Sequence, residues 1–371
     1  MAGAASRSPL SDPGRRSQYA ETFMIMQTNP PRKLAVVIPS FRVRTHIANV
    51  IGDIGPEVCR IYVVDDCCPE HTGDFVENHV TDPRVVVLRH PENQGVGGAV
   101  MTGYQAALDD GMEIIIKVDG DGQMDPALIP EFVQPIIDND ADYTKGNRFF
   151  DLESVQSMPK VRLFGNAALS FLTKLSAGYW NIFDPTNGYT AIDASVARHL
   201  PMHKISKRYF FETDMLFRLN TLRAVVVDIP MDAKYADEVS NLKVSRIAGE
   251  FLAKHLRNFG KRIFYNYYLR DLTIASLELP LGLASGLFGI SYGAYHWIRN
   301  LGTGSSTPTG TVMLAAFATL IGVQLILAFL AADISSAPRR PIARSLRIRS
   351  SRPQQADLSC VPEKSNVRPP A

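Results

Sequence analysis

Two carboxylates two residues apart, in Asp119-Gly120-Asp121-Gly122-Gln123, follow an apolar run that ends in Val118. Carboxylates so spaced, after a buried strand, can both approach one hard divalent cation. Such a cation prefers oxygen ligands and commonly bridges to phosphates. The chemistry implied is Mg2+ or Mn2+ on a diphosphate, where it neutralises charge on a departing nucleotide. An Asp-x-Asp alone is more often a turn; its place at a strand end is what raises it. Asp65-Asp66 closes another apolar run. A carboxylate there can accept hydrogen bonds from a base or ribose, or can simply terminate the strand. Asn93-Gln94-Gly95-Val96-Gly97-Gly98 supplies a backbone able to approach a ligand closely. It is not the dinucleotide fingerprint, because the third glycine is replaced by Val100.

The elements that must position these residues alternate. Short β-branched runs predict strands at 34–38, 60–64, 85–88 and 113–118, with helical stretches at 45–54, 74–80 and 99–110 between them. This alternation implies βαβ units and a mostly parallel sheet, an α/β fold. The candidate residues fall at the C-terminal strand ends, where open α/β sheets bind ligands. From 149 to 246 the pattern loosens, with helical stretches near 161–175 and 212–222, the segment Asp184–Gly188, and a strand at 224–229. This part is expected to complete the same domain, on the acceptor side.

The last third changes character. Arg246–Arg270 mixes basic and aromatic residues, as helices lying on a membrane surface do. Leu279–Ile298 and Thr311–Ala332 are uncharged apolar runs, each long enough to cross roughly 30 Å of hydrocarbon. Basic residues flank the pair on both outer sides, and the loop between them carries one. By the positive-inside rule both chain ends, and with them the α/β domain, are expected to be cytoplasmic and only the loop outside. The expected organisation is a disordered leader (1–31), an α/β domain (32–245), interfacial helices (246–276), a two-helix membrane hairpin (277–334) and a disordered basic tail (335–371). Residues 1–31 lack the apolar run of a signal peptide. The four cysteines, with Cys67-Cys68 adjacent, match no zinc spacing and are expected to be reduced thiols. A net charge of +2 carries no nucleic-acid signature.

Several motifs in order resemble family 2 glycosyltransferases of the GT-A (Rossmann-like) fold: Val36-Val37-Ile38-Pro39-Ser40-Phe41, Val63-Val64-Asp65-Asp66, Gly95-Val96-Gly97-Gly98-Ala99, Asp119 through Pro126, and Gly146-Asn147-Arg148-Phe149. Within that family the resemblance is closest to polyprenol-phosphate glycosyltransferases of the dolichol-phosphate mannosyltransferase type. Asp184 to Tyr189, Phe211 to Asp214 and Tyr235 to Lys243 extend it. The resemblance implies that Pro39, Phe41 and Asp66 hold base and ribose, with Gly97 and Gly98 on the cofactor side. It places Asp119, Asp121 and Gln123 on metal and diphosphate, Arg148 and Arg162 on sugar or acceptor phosphate, and Asp184 near the attacking oxygen. The sequence departs from the family at Phe41-Arg42-Val43, at Cys67-Cys68 and at Lys234.

The expected function is inverting, metal-dependent transfer of a sugar from a UDP- or GDP-sugar to a polyprenyl phosphate at the cytoplasmic face of the inner membrane. Homo-oligomerisation is left open, and no nucleic acid is expected. The alternatives are a processive polysaccharide synthase of the same fold, whose Gln-x-x-Arg-Trp motif neither Trp180 nor Trp297 provides, and a non-catalytic nucleotide sensor.

Overall fold

The run Leu34-Ala35-Val36-Val37-Ile38 is buried along its whole length in β1 (Leu34–Ser40), which is flanked on both sides by parallel neighbours. The structure, a computed structural model, describes residues 32–150, 160–232 and 244–351. The expected leader, the Tyr235–Lys243 motif, Lys234 and Cys360 lie outside the described residues.

After β1 come α1 (Ile47–Gly52), β2 (Val58–Asp65), α2 (Thr72–His79), β3 (Val85–Arg89), α3 (Val96–Asp109), β4 (Ile114–Lys117), α4 (Ile129–Ile137) and β5 (Tyr143–Asn147). Then follow α5 (Lys160–Ala177), β6 (Thr190–Asp193), the single turn α6 (Ala194–Ala197), α7 (Phe211–Leu222) and β7 (Val226–Pro230). The sheet runs β3-β2-β1-β4-β6-β5-β7. All pairings are parallel except those of β6, which runs against both β4 and β5. Apolar side chains fill both faces. One core gathers α3 and α7 with residues such as Val37, Tyr62 and Ile115; the other gathers α1 and α4 with Val36, Ile61 and Ile116. A mostly parallel sheet needs this double cover.

The chain leaves the sheet through α8 (Val244–Phe264) and a π-helical turn, Tyr265–Arg270. It then enters α9 (Ile274–Thr303) and α10 (Thr309–Ser335). Both are long and apolar enough to cross a membrane, with mean hydropathy of 1.4 and 2.4 over their best windows. Their large side chains, Leu287 and Leu320 among them, point outward, while Gly282, Gly286 and Gly289 face Gly322 and Thr319. Small residues let two helix backbones approach closely, the usual basis of helix pairing in lipid.

A buried polar knot ties this hairpin to the sheet domain. Arg262 of α8 donates to both oxygens of Asp333 in the last turns of α10, at 2.6 and 3.0 Å, and to the Leu175 carbonyl at 2.8 Å. Trp180 Nε1 and the Tyr267 hydroxyl reach the same carboxylate at 2.9 and 2.8 Å.

The expectation of a disordered tail from residue 335 is corrected over its first part. After α10 the chain turns back and forms α11 (Ala343–Ser351) against the sheet domain. The backbone N–H groups of Ile342 and Ala343 donate to the buried Asp142 carboxylate. A carboxylate at a helix N-terminus satisfies amides that have no partner within the helix.

Candidate active site

β4 and β1 run parallel in register, with Val37 opposite Lys117. Their C-terminal ends therefore set Pro39–Phe41 beside Asp119–Gln123. Asp119 is part-exposed, and its backbone N–H points to the Met124 sulfur at 3.2 Å. Asp121 accepts the Gln123 N–H at 3.0 Å across Gly122, whose φ of +78° shapes the turn. Behind this loop Tyr189 stacks on Phe132, centroids 3.9 Å apart, and its hydroxyl donates to the Asp125 carbonyl. The sequence-predicted trio Asp119, Asp121 and Gln123 thus lies on one short loop with hard oxygen donors. That donor set fits a divalent cation that takes its remaining ligands from a diphosphate.

Asp184 is brought to the same end of the sheet, fully buried. Arg148 grips it from Nε at 2.7 Å and Nη2 at 3.1 Å, with its backbone N–H at 3.3 Å. The sequence reading gave these two residues separate tasks; the structure makes them one bidentate pair. The loop from Asp184 to Gly188 then runs onto Asp119. A Cβ at position 188 would lie 2.6 Å from Asp119 Oδ2 and would also collide with Lys117 Nζ. Arg162 lies in α5, but its side chain is outside the described residues.

Several residues expected around the nucleotide have partners within the protein. Asp66 is buried, and its carboxylate holds the glycine turn: Oδ1 accepts from His90 Nδ1 and Gln94 N, and Oδ2 from Gly95 N, at 2.7–2.8 Å. Asp65 likewise accepts from the N–H groups of Cys68 and Gly73. Both carboxylates are engaged in building the strand ends. Gly97 and Gly98 are also buried, and both donate to the Lys207 carbonyl. A Cβ at 97 would meet Phe211 Cδ2 at 2.8 Å. The close approach these glycines allow is to the protein itself. Phe41 is 42% exposed at the mouth of the site, with Arg42 over its ring. Among the departures, Cys68 is buried, with its sulfur 3.1 Å from Arg42 N and from Thr72 Oγ1, so it links the first two strand-end loops.

The sequence reading missed the charged floor of the site. Lys117 and Lys145 are each 1% exposed. Lys117 Nζ is 2.7 Å from Asp119 Oδ1, and Lys145 Nζ donates to the Asn187 carbonyl. Burial pushes the Lys145 ammonium down to about 8, opposed by Glu212 and Asp184. Close packing raises the Glu212 carboxyl, and the two lysines pull it back. Burial raises Asp228 to about 6, against a hydrogen bond from the Phe183 N–H. A lysine inside Ile114-Ile115-Ile116-Lys117-Val118 was the available signal, since lysines are seldom buried without a partner.

Residues 35–200 match the family described as Glycosyl transferase family 2. The chain is 27% identical over 216 residues to the UDP-N-acetylglucosamine–dolichyl-phosphate N-acetylglucosaminyltransferase of Methanococcus voltae, covering 54% of this chain and 86% of that protein. It is 29% identical over 204 residues to the undecaprenyl-phosphate mannosyltransferase of Micrococcus luteus, covering 54% and 82%. In three dimensions it is similar to glucosyl-3-phosphoglycerate synthase from Mycobacterium tuberculosis, solved with Mn2+, UDP and glucosyl-3-phosphoglycerate. The TM-score is 0.50 at 17% identity, over 69% of this chain and 87% of that one. The shared fold is GT-A-like.

Proposed function

We propose, for a chain that carries a glycosyl transferase family 2 domain over residues 35–200 and is a glycosyltransferase, that it moves a sugar from a nucleotide-sugar donor to a polyprenyl phosphate. The observation that carries this reading is the physical union of a strand-end carboxylate site with two membrane-length helices, through Arg262 and Asp333. The names of the M. voltae and M. luteus relatives, each acting on a prenol-type phosphate, support the acceptor class.

In this reading Pro39 and Phe41 would hold the base and ribose of a UDP- or GDP-sugar. Asp119, Asp121 and Gln123 would hold Mg2+ or Mn2+ together with the donor diphosphate. Bound there, the cation would offset the negative charge that grows on the leaving nucleoside diphosphate. A phosphate oxygen of the lipid attacks the anomeric carbon, and the bond to the nucleoside diphosphate breaks in the same displacement, with inversion. A phosphate monoester, with a second pKa of about 6, is already largely dianionic at neutral pH. It needs little help from a base, which suits an Asp184 whose carboxylate is taken up by Arg148. Asp184 is then a positioning residue: by taking the Nε–Nη2 edge it fixes the guanidinium whose charge, with that of Arg162, would face the acceptor phosphate. The basic and aromatic residues of α8 and the π-helical turn would rest on the cytoplasmic face of the bilayer.

The test supplies labelled UDP- and GDP-sugars to membranes containing the protein. The expected product extracts into organic solvent, carries one sugar per lipid and releases it in mild acid. Chelator should abolish transfer, Mg2+ or Mn2+ should restore it, and Asp121→Ala should have none. A water-soluble polymer as the sole labelled product would overturn the acceptor. Full activity of Asp121→Ala in excess chelator would remove the cation from the mechanism.

A further inference from the structure

Lys117 and Lys145 sit on opposite sides of β6, and both are in register with Thr190. Residues in register share one face of a sheet, so two buried ammonium groups lie side by side beneath the loop from Asp184 to Gly188. Lys145 holds that loop through the Asn187 carbonyl. Lys117 instead reaches Asp119, and Gly188 closes over the pair so tightly that a side chain there would strike both. A lysine with 1% exposure cannot exchange its partner for water.

We propose that Lys117 supplies the positive charge that strengthens the hold of the cation-loaded site on the donor diphosphate. This rests on the reading of Asp119 and Asp121 as cation ligands. Two carboxylates and one divalent cation sum to zero, so those three groups add no net charge to the pull of the cation's remaining ligand positions on a diphosphate. Lys117, fixed at 2.7 Å from Asp119, leaves that group of charges with one positive charge. The same charge repels the bare cation. Lys117 therefore acts in opposite directions on two ligands: it weakens the cation alone and strengthens the nucleoside diphosphate that follows. A residue that merely supported the fold would affect both in the same direction.

The experiment measures Mn2+ binding by electron paramagnetic resonance, and UDP and GDP binding by calorimetry at saturating Mn2+. It uses the purified full-length chain in detergent, as wild type, Lys117→Met and Asp119→Ala. Methionine keeps the length of the side chain without its charge; should that variant fail to fold, Lys117→Gln carries the same test. Lys117→Met is expected to bind Mn2+ several-fold tighter and the nucleoside diphosphate roughly tenfold weaker, the scale set by one partly screened charge a few ångströms away. Both affinities falling together, or neither changing, overturns the inference. Asp119→Ala that binds Mn2+ like wild type overturns the cation reading and the inference with it. Asp119→Ala that loses Mn2+ while Lys117→Met stays unchanged overturns the inference alone.

Discussion

Asp184 has no exposed surface, and its charge is met by Arg148, which closes on it with two side-chain nitrogens, and by the Thr186 hydroxyl. Removing one member of a buried pair leaves the other charged and dry, typically at about 3–5 kcal/mol. Loss of activity in Arg148→Ala therefore says little by itself about phosphate binding. The pair of substitutions separates the two effects. Arg148→Ala, which strands the fully buried Asp184 carboxylate, should lower stability by about that amount in denaturant melts, and Asp184→Ala by less, because the Arg148 side chain keeps 30% of its surface in solvent. The double variant removes both charges and should recover most of the loss. Transfer activity should stay absent in all three, because Arg148→Ala removes the guanidinium meant for the acceptor phosphate and Asp184→Ala leaves it unheld. A double variant that regains transfer would show that the pair serves only the fold, and the phosphate role would pass from Arg148.

At the level of elements, the strands legible in the sequence are those that carry an apolar, β-branched run of their own, the partly exposed edge strands β3 and β7 included. β1, β2 and β4 announce themselves through runs such as Ile114-Ile115-Ile116. β6 does not: Thr190-Ala191-Ile192-Asp193 is four residues long and runs against its neighbours, and its pairing is set by β4 and β5 rather than by its own pattern. The cation loop was legible because its chemistry is local. The packing of the glycine turn was not legible because its neighbours, Ser206, Lys207 and Phe211, lie more than a hundred residues away. α11 was hidden for the same reason, since the carboxylate that caps it belongs to Asp142. Composition did reveal the hairpin, though not its seam. There Gly322 meets Gly286 so closely that a Cβ would lie 2.6 Å from the Gly286 Cα. Neither backbone can yield cheaply, and overpacking of this kind costs about 1–3 kcal/mol or more. Gly322→Leu should part α9 from α10 and lower the melting temperature in detergent. An unchanged melt would mean that the two helices do not meet at this seam.

On the scale of the whole molecule, both ends of the hairpin return to the catalytic domain. The entry to α9 is fixed by the π-helical turn, where Tyr267 donates to Asp333 and its carbonyl accepts from Ser276 Oγ. The exit from α10 is fixed by Arg262 on Asp333 and then by α11, whose Arg347 lies 3.4 Å from Asp193 while Asp142 caps its first amides. Two crossings that begin and end on the same domain leave residues 304–308 on the far side of any membrane they span. The charge asymmetry agrees, because basic residues crowd the near side and the loop has few. Ser305 is exposed at the tip of that loop, and Ser345 is exposed on α11. In a chain stripped of its native cysteines, Ser305→Cys should react with an impermeant thiol reagent on intact cells. Ser345→Cys should react only after the cells are opened. Equal labelling of the two from outside would mean that α9 and α10 do not form a spanning hairpin. The catalytic site would then have to meet its lipid through the α8 surface alone.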